Sequence, residues 1–138
     1  MNLWFNILFL IFALYFGFSE AGLCPKNTVV FQNSLALSQS TLKVHCRSFD
    51  DDLGDHSILF KAPPYNFSFH DDIAFATWFD CDLFHKGENV EYQRSFRAYR
   101  GAYFFRCGAL YVWNARDDAI YLSKDRKPEK LMYYWIKD

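Results

Sequence analysis

Neither sign of charge dominates this sequence: fifteen Lys and Arg stand against sixteen Asp and Glu, a formal net charge of -1. That balance removes the global basic field needed for bulk nucleic-acid binding, and it leaves no acidic tail. Glycine (six) and proline (four) are too scarce for a collagen-like or low-complexity chain. No Cys-x-x-Cys pair or His/Cys cluster has the ligand spacing of a zinc site. A G-x-S-x-G elbow is also missing, which removes the local signature of a serine hydrolase. With 138 residues there is room for one domain, or two very small ones, and for no large multidomain enzyme.

What the chain does have is apolar surface to bury: 51% of it is hydrophobic and 21% aromatic, which excludes disorder. One apolar run stands apart, residues 3–18 (LWFNILFLIFALYFGF), uncharged and interrupted only by Asn6. It is short for a membrane span, which needs roughly 20 residues. Ser19-Glu20-Ala21 follows with small residues at both positions a signal peptidase reads. Residues 1–21 are therefore expected to be a secretory signal peptide, cut after Ala21, with 22–138 as a single domain. No Lys or Arg precedes the run, so the free amino terminus must supply the positive charge. The expected location is extracellular.

Secretion gives the cysteines their meaning. Cys24, Cys46, Cys81 and Cys107 make an even count in a small secreted chain, which predicts two disulfides. Three connectivities are open, and the sequence alone does not choose. Each bridge is worth roughly 2–4 kcal/mol. If all four are bridged, none is a nucleophile.

After Ala21 the chain reads as short β-branched and aromatic stretches between turn residues. Residues 28–31, 41–46, 57–61, 65–70, 74–83, 92–99, 103–107, 109–115, 119–122 and 131–136 carry the strand pattern. In 41–46, Leu42, Val44 and Cys46 face one way and Lys43 and His45 the other; Tyr92, Arg94, Phe96 and Ala98 share a face. No window holds a 3.6-residue apolar period. This predicts an all-β fold, a small disulfide-stabilised antiparallel β-sandwich of about eight strands, with Trp78 and Trp113 buried. Residues 50–55 (DDDLGD) are expected to be a turn whose aspartates cap backbone N–H groups while Gly54 takes positive φ. An EF-hand does not fit there, because the twelfth position from Asp50 is Lys61, not Glu.

The chemistry-bearing residues are dispersed. A two-histidine ribonuclease needs an acid and a base poised near pH 7, yet no local motif pairs any two of His45, His56, His70 and His85. Asn66-Phe67-Ser68 is an N-glycosylation acceptor, which marks Asn66. Arg94, Arg97, Arg100 and Arg106 fall in a stretch, 92–115, that contains no acid, whereas 50–55 and 71–82 are acidic. A neutral chain with polar ends favours oriented docking. The expected recognition loops are Asp50, Asp51, Asp52 and Asp55 on one side and His85, Lys86 and Glu88 on the other.

Several spaced motifs then occur in one order. They are Val30-Phe31-Gln32-Asn33-Ser34-Leu35, Leu42-Lys43-Val44-His45-Cys46-Arg47-Ser48, Asp50-Asp51-Asp52-Leu53-Gly54 and Tyr65-Asn66-Phe67-Ser68-Phe69. Thr77-Trp78-Phe79-Asp80-Cys81, Val112-Trp113-Asn114-Ala115-Arg116-Asp117-Asp118-Ala119-Ile120-Tyr121 and a closing Tyr133-Tyr134-Trp135 complete the series. The series resembles the plant self-incompatibility proteins, or S-protein homologues, across residues 28–135. The resemblance implies a small secreted sandwich with disulfides, no enzymatic activity and no cofactor or metal. It also implies a signalling ligand read by a plasma-membrane receptor on a partner cell; a monomer is expected, and the charge balance leaves no nucleic-acid partner. The competing reading is a secreted hydrolase of ribonuclease type using His45 or His70.

Overall fold

Alternation decides which way each strand faces. In β1 (Asn27–Ser34) Asn27, Val29 and Phe31 point inward; in β2 (Leu42–Arg47) Leu42, Val44 and Cys46 do. Both strands present their intervening residues to the other side, the period-2 pattern of a half-buried sheet. The computed structural model describes residues 24–72, 76–101 and 106–138, so the apolar run 3–18 and the cleavage site after Ala21 lie outside the described residues. Most of the strand expected at 103–107 also lies outside them.

The remaining strands are β3 (Asp52–Ile58), β4 (Tyr65–Phe69), β5 (Trp78–Lys86), β6 (Glu91–Arg100), β7 (Leu110–Arg116), β8 (Ala119–Lys124), β9 (Lys130–Tyr134) and β10 (Ile136–Lys137). They form two five-stranded sheets, β4-β1-β7-β8-β9 and β10-β6-β5-β2-β3. The fold is all-β, as expected, with ten strands among the described residues where about eight were expected. The strand expected at 57–61 lies earlier, as β3, through the polar stretch that reads as a turn, and the stretch expected at 131–136 divides into β9 and the short β10. Both facing sheets contribute to one core of Phe31, Leu42, Leu83, Trp113 and Ile120 with their neighbours.

One pairing departs from the antiparallel expectation. β1 and β7 run parallel, from Thr28 opposite Leu110 to Ser34 opposite Arg116. Parallel neighbours cannot be joined by a hairpin and need a long connection; here the chain visits the other sheet twice between them. Nothing local in either strand announces this.

The disulfides sit where the pairing needs support. Cys46–Cys81 joins β2 to β5 at directly opposed positions, both sulfurs fully buried. Cys24–Cys107 ties the segment before β1 to the segment before β7. Beside it lies a buried polar network. Asn27 donates to Asp71 Oδ1 (3.2 Å) and to the Arg106 carbonyl (3.0 Å), and accepts from the Ala109 N–H (2.9 Å). Tyr99 donates to Asp71 Oδ1 at 2.7 Å, and the Arg106 N–H donates to Oδ2 at 3.2 Å. Burial, reinforced by the Asp71 carboxylate, raises the Tyr99 pKa and keeps its phenol a donor.

The two tryptophans differ. Trp113 is 2% exposed, packs on Phe96 with ring centroids 4.5 Å apart, and donates its indole N–H to the Ala98 carbonyl (3.1 Å). Trp78, expected in the core, is only half-buried: it opens β5 on the outer face, where the Arg97 guanidinium covers it at 4.9 Å. In urea unfolding, Trp113→Ala should cost about 3–5 kcal/mol and Trp78→Ala about 1–2 kcal/mol. Cys46→Ala with Cys81→Ala, which frees a loop of 35 residues, should cost about 4 kcal/mol by chain entropy. Equal losses from the two tryptophans would contradict this placement.

Candidate functional site

The candidate recognition residues come from the two ends of β2 and β5. Lys43 lies opposite Phe84 and Arg47 opposite Asp80, so the segment after Arg47 and the segment after Lys86 are at opposite ends of one sheet. The length of β5 puts roughly 25 Å between them. The structure therefore does not bring the two expected loops together.

At the first end the turn is shorter than the sequence suggested. Only residues 48–51 turn, closed by the Ser48 N–H to Asp51 O bond (2.8 Å) and by the Asp51 N–H to Ser48 Oγ (3.1 Å). Asp50 and Asp51 are exposed on this turn. Asp52 and Asp55 instead belong to β3, an edge strand whose outer face can stay polar. Gly54 does take positive φ (78°), at an irregularity in the β2–β3 register, and Asp52 Oδ1 accepts its N–H at 2.9 Å. The turn overhangs a cleft of about 570 Å³ with Leu53, Phe67, Phe69 and Trp78 in its walls and Asp50, Asp51 and Asp72 among its lining.

His45 lies between the two β3 aspartates. Its Nε2 is 2.6 Å from Asp52 Oδ1 and its Nδ1 2.8 Å from Asp55 Oδ1. The Asp52 hydrogen bond, with the charges of Asp52 and Asp55, outweighs desolvation and raises the His45 pKa. The Gly54 N–H, then His45, lower that of Asp52. With a carboxylate on each ring nitrogen, the imidazolium form is the one this geometry favours, and both nitrogens are already engaged. The same face carries two more pairs, Arg47–Asp82 (3.0 Å, with Ser95 donating to Asp82 at 2.6 Å) and Arg97–Asp80 (2.8 Å).

Two of the other histidines, His70 and His56, are also occupied. His70 Nε2 is 3.0 Å from the Cys24 carbonyl, and His56 Nε2 2.9 Å from the Leu53 carbonyl with its ring stacked on Tyr65. Among the described residues no group of three or more His, Cys, Asp or Glu has a metal-binding arrangement.

At the second end β5 continues through His85 and Lys86, so both belong to a strand rather than to the expected loop. The turn is the stretch after Lys86, closed by the Gly87 N–H to Val90 carbonyl bond (2.8 Å), with Asn89 at φ 59°. Glu88 is exposed there and Lys86 is exposed at the strand end. His85 is not a surface residue: it is 2% exposed, stacked on Tyr92 at 4.8 Å and edge-on to Trp135 at 4.5 Å. Inward alternation from Phe79 through Cys81 and Leu83 puts it there, and among the described residues neither ring nitrogen finds a hydrogen-bond partner. Burial lowers its pKa, against the charge of Asp117 and the backbone of Lys86.

Asp117, which sequence reasoning did not single out, organises this end. It accepts the Leu37 N–H (2.9 Å) and the Ser38 N–H (3.2 Å), pinning the β1–β2 loop over the β7–β8 turn. Ser40 donates to the Lys86 carbonyl. A cleft of about 490 Å³ lies among Leu37, Lys86, Glu88 and Asp117.

The two perturbed histidines pull stability in opposite directions. The unfolded chain takes up a proton at His85 below about pH 6.5 that the fold resists, so stability falls as pH drops through that range. His45, whose pKa is raised, favours the fold below its ordinary pKa and stops doing so as pH rises through the raised value. Thermal melts from pH 7.5 to about 5 should therefore show a smaller acid-side loss in His85→Leu and a larger one in His45→Asn. Ring-proton NMR should find His45 titrating above His85. The reverse order would overturn both placements.

Comparison with known proteins gives this geometry its relatives. A family model described as plant self-incompatibility protein S1 matches residues 28–135. S-protein homolog 11 of Arabidopsis thaliana is 40% identical over 133 residues, covering 95% of this chain and 92% of that protein. S-protein homolog 8 of the same plant is 40% identical over 127 residues, covering 91% and 93%. A solved structure aligns with TM-score 0.61 and 27% identity, over 81% of this chain and 96% of that one. It is described as SPH (self-incompatibility protein homologue) proteins, a widespread family of small, highly stable, secreted proteins from plants. On the family match and the relatives together, the chain belongs to the plant self-incompatibility protein S1 family, the S-protein homologues.

Proposed function

We propose that the chain is a secreted, monomeric signalling ligand of plants, without cofactor or catalysis, read by a plasma-membrane receptor on a partner cell. One observation carries the reading. A sandwich stapled by two disulfides holds short charged segments, Asp50–Asp51 at one end and Lys86–Glu88 at the other, exposed on a rigid frame. Short, rigidly based loops bind with little ordering cost. Net charge near zero with separated signs steers orientation more than it adds affinity. Family membership supports secretion and a small plant protein.

The histidines weigh against a hydrolase. His45 has a carboxylate on both nitrogens, and His70 is turned to a backbone carbonyl. Asn66 is exposed on β4, with its side chain on the outer face, so a glycan there would not disturb the core.

Asp50→Asn with Asp51→Asn keeps an acceptor oxygen at each position and removes the charge. Binding to receptor-bearing cells should weaken, chiefly through slower association and a flatter salt dependence, with the melting temperature unchanged. Unchanged binding would rule out this end and shift the test to Lys86→Gln with Glu88→Gln. Turnover of RNA by purified protein, abolished in His45→Ala, would overturn the ligand reading.

A further inference from the structure

β6 is the longest strand, and one of its edges is nearly bare. It pairs with β5 along its full length, from Lys86 opposite Glu91 to Trp78 opposite Arg100. On its other side β10 pairs only with Gln93 and Tyr92, and the Asp138 N–H reaches the Glu91 carbonyl at 2.9 Å. Those bonds show that Glu91 and Gln93 direct their backbone groups away from β5. Strand alternation then makes Ser95 and Arg97 the next residues in that row. Among the described residues no strand pairs with them on that side.

The cleft beside this edge is cationic, with Arg97 and Arg100 from β6 and, from the facing sheet, Lys124 at the end of β8 and Arg106 before β7, which also donates to the Tyr111 hydroxyl (2.6 Å). Arg97, Arg100, Arg106 and Lys124 border a cleft of about 350 Å³ that also reaches Tyr111 and Met132. Arg106 lies over Tyr99 and Lys124 over Tyr111, at 5.6 and 5.1 Å from the ring centroids. Arg97 is matched by Asp80. Asp71 is taken up by Asn27, Tyr99 and the Arg106 N–H. Arg100 and Lys124 make no ion pair among the described residues, and no acid occurs anywhere in residues 92–115.

We propose that the free edge of β6 at Ser95 and Arg97 is a strand-addition site for an extended acidic segment of another protein. The incoming strand would continue the line of β10, its backbone closing the open hydrogen bonds and its carboxylates meeting Arg100, Arg106 and Lys124. A second copy of this chain is the wrong occupant. Two β6 edges side by side would set Arg94, Arg97 and Arg100 of one copy against the same residues of the other, a costly like-charge juxtaposition. The surface is separate from both loop ends, so the proposal does not depend on the loop reading. The opposing explanation is that the cations only guard an exposed edge against aggregation.

The test uses the disulfide-intact secreted protein and three short fluorescent peptides. One alternates Glu and Val; the second replaces every Glu by Gln; the third keeps the Glu side chains and carries backbone N-methyl groups at alternate residues. The Glu peptide should bind, and each of the other two should bind at least about tenfold more weakly. Amide hydrogen exchange should slow at Ser95 and Arg97. Arg100→Gln with Lys124→Gln should weaken the Glu peptide by about tenfold without moving the melting temperature. Equal binding of the N-methylated peptide would reduce the site to a charge patch, and protection elsewhere would misplace it. Either result overturns the proposal, as does no binding by the Glu peptide together with self-association of the double variant, which would make the cations guards.

Discussion

The parallel pairing of β1 with β7 is the constraint on which the rest of the molecule depends. It closes the centre of one sheet, and it joins residues some 82 positions apart, as the Asn27–Ala109 hydrogen bond shows. Three kinds of bond converge at its open end: the ladder itself, the Cys24–Cys107 disulfide and the Asn27–Asp71–Tyr99 network. Removing one member of the network would leave a buried polar atom of its neighbour without that bond, which costs more than the lost bond alone. Only once this pair is set does the second sheet have a face to pack against.

The outer face of the β10-β6-β5-β2-β3 sheet is built differently. Its charges are matched across neighbouring strands: His45 with Asp52 and Asp55, Arg47 with Asp82, Arg97 with Asp80. Exposed pairs of this kind add little stability individually, but they neutralise the middle of the sheet. Charge outside these pairs stands at its margins, with Asp50 and Asp51 at the turn and Arg100 at the end of β6, where Lys124 of the facing sheet shares its cleft. The near-zero formal charge of the whole chain hides this division.

How much of this was legible in the sequence depended on whether a signal was local. Leu42, Val44 and Cys46 alternate within one strand, so their inward face was readable, as was that of Tyr92, Phe96 and Ala98. Asp52 and Asp55 misled because aspartate favours turns, whereas an edge strand with a solvated face tolerates them. His85 misled in the opposite sense. It precedes a Lys-Gly-Glu-Asn loop, yet the parity set by Phe79, Cys81 and Leu83 carries it inside. Parity shifts for Tyr99, where the irregular register with β5 buries it next to Ala98. Trp78 was too simple a case of aromatic-means-core. The roles of Asn27, Asp71 and Asp117 are defined by partners 28 to 82 positions away, and no short window of sequence contains both halves.

Strand order also determines when each part of the chain can fold. β2, β3, β5 and β6 pair as near neighbours in sequence, and the two cysteines of the Cys46–Cys81 bridge emerge within 35 positions of each other. β1 emerges first but has its central partner only after β7, so its inward Val29 and Phe31 must wait, covered at best by β4. In a chain entering an oxidising compartment from its amino terminus, the sheet that is last in place is therefore the one begun first. Long sequence separation of this kind slows assembly and prolongs exposure of unpaired strand. Cys24 meets its native partner only when Cys107 emerges 83 positions later, so its bond belongs to the later part of assembly rather than to its start.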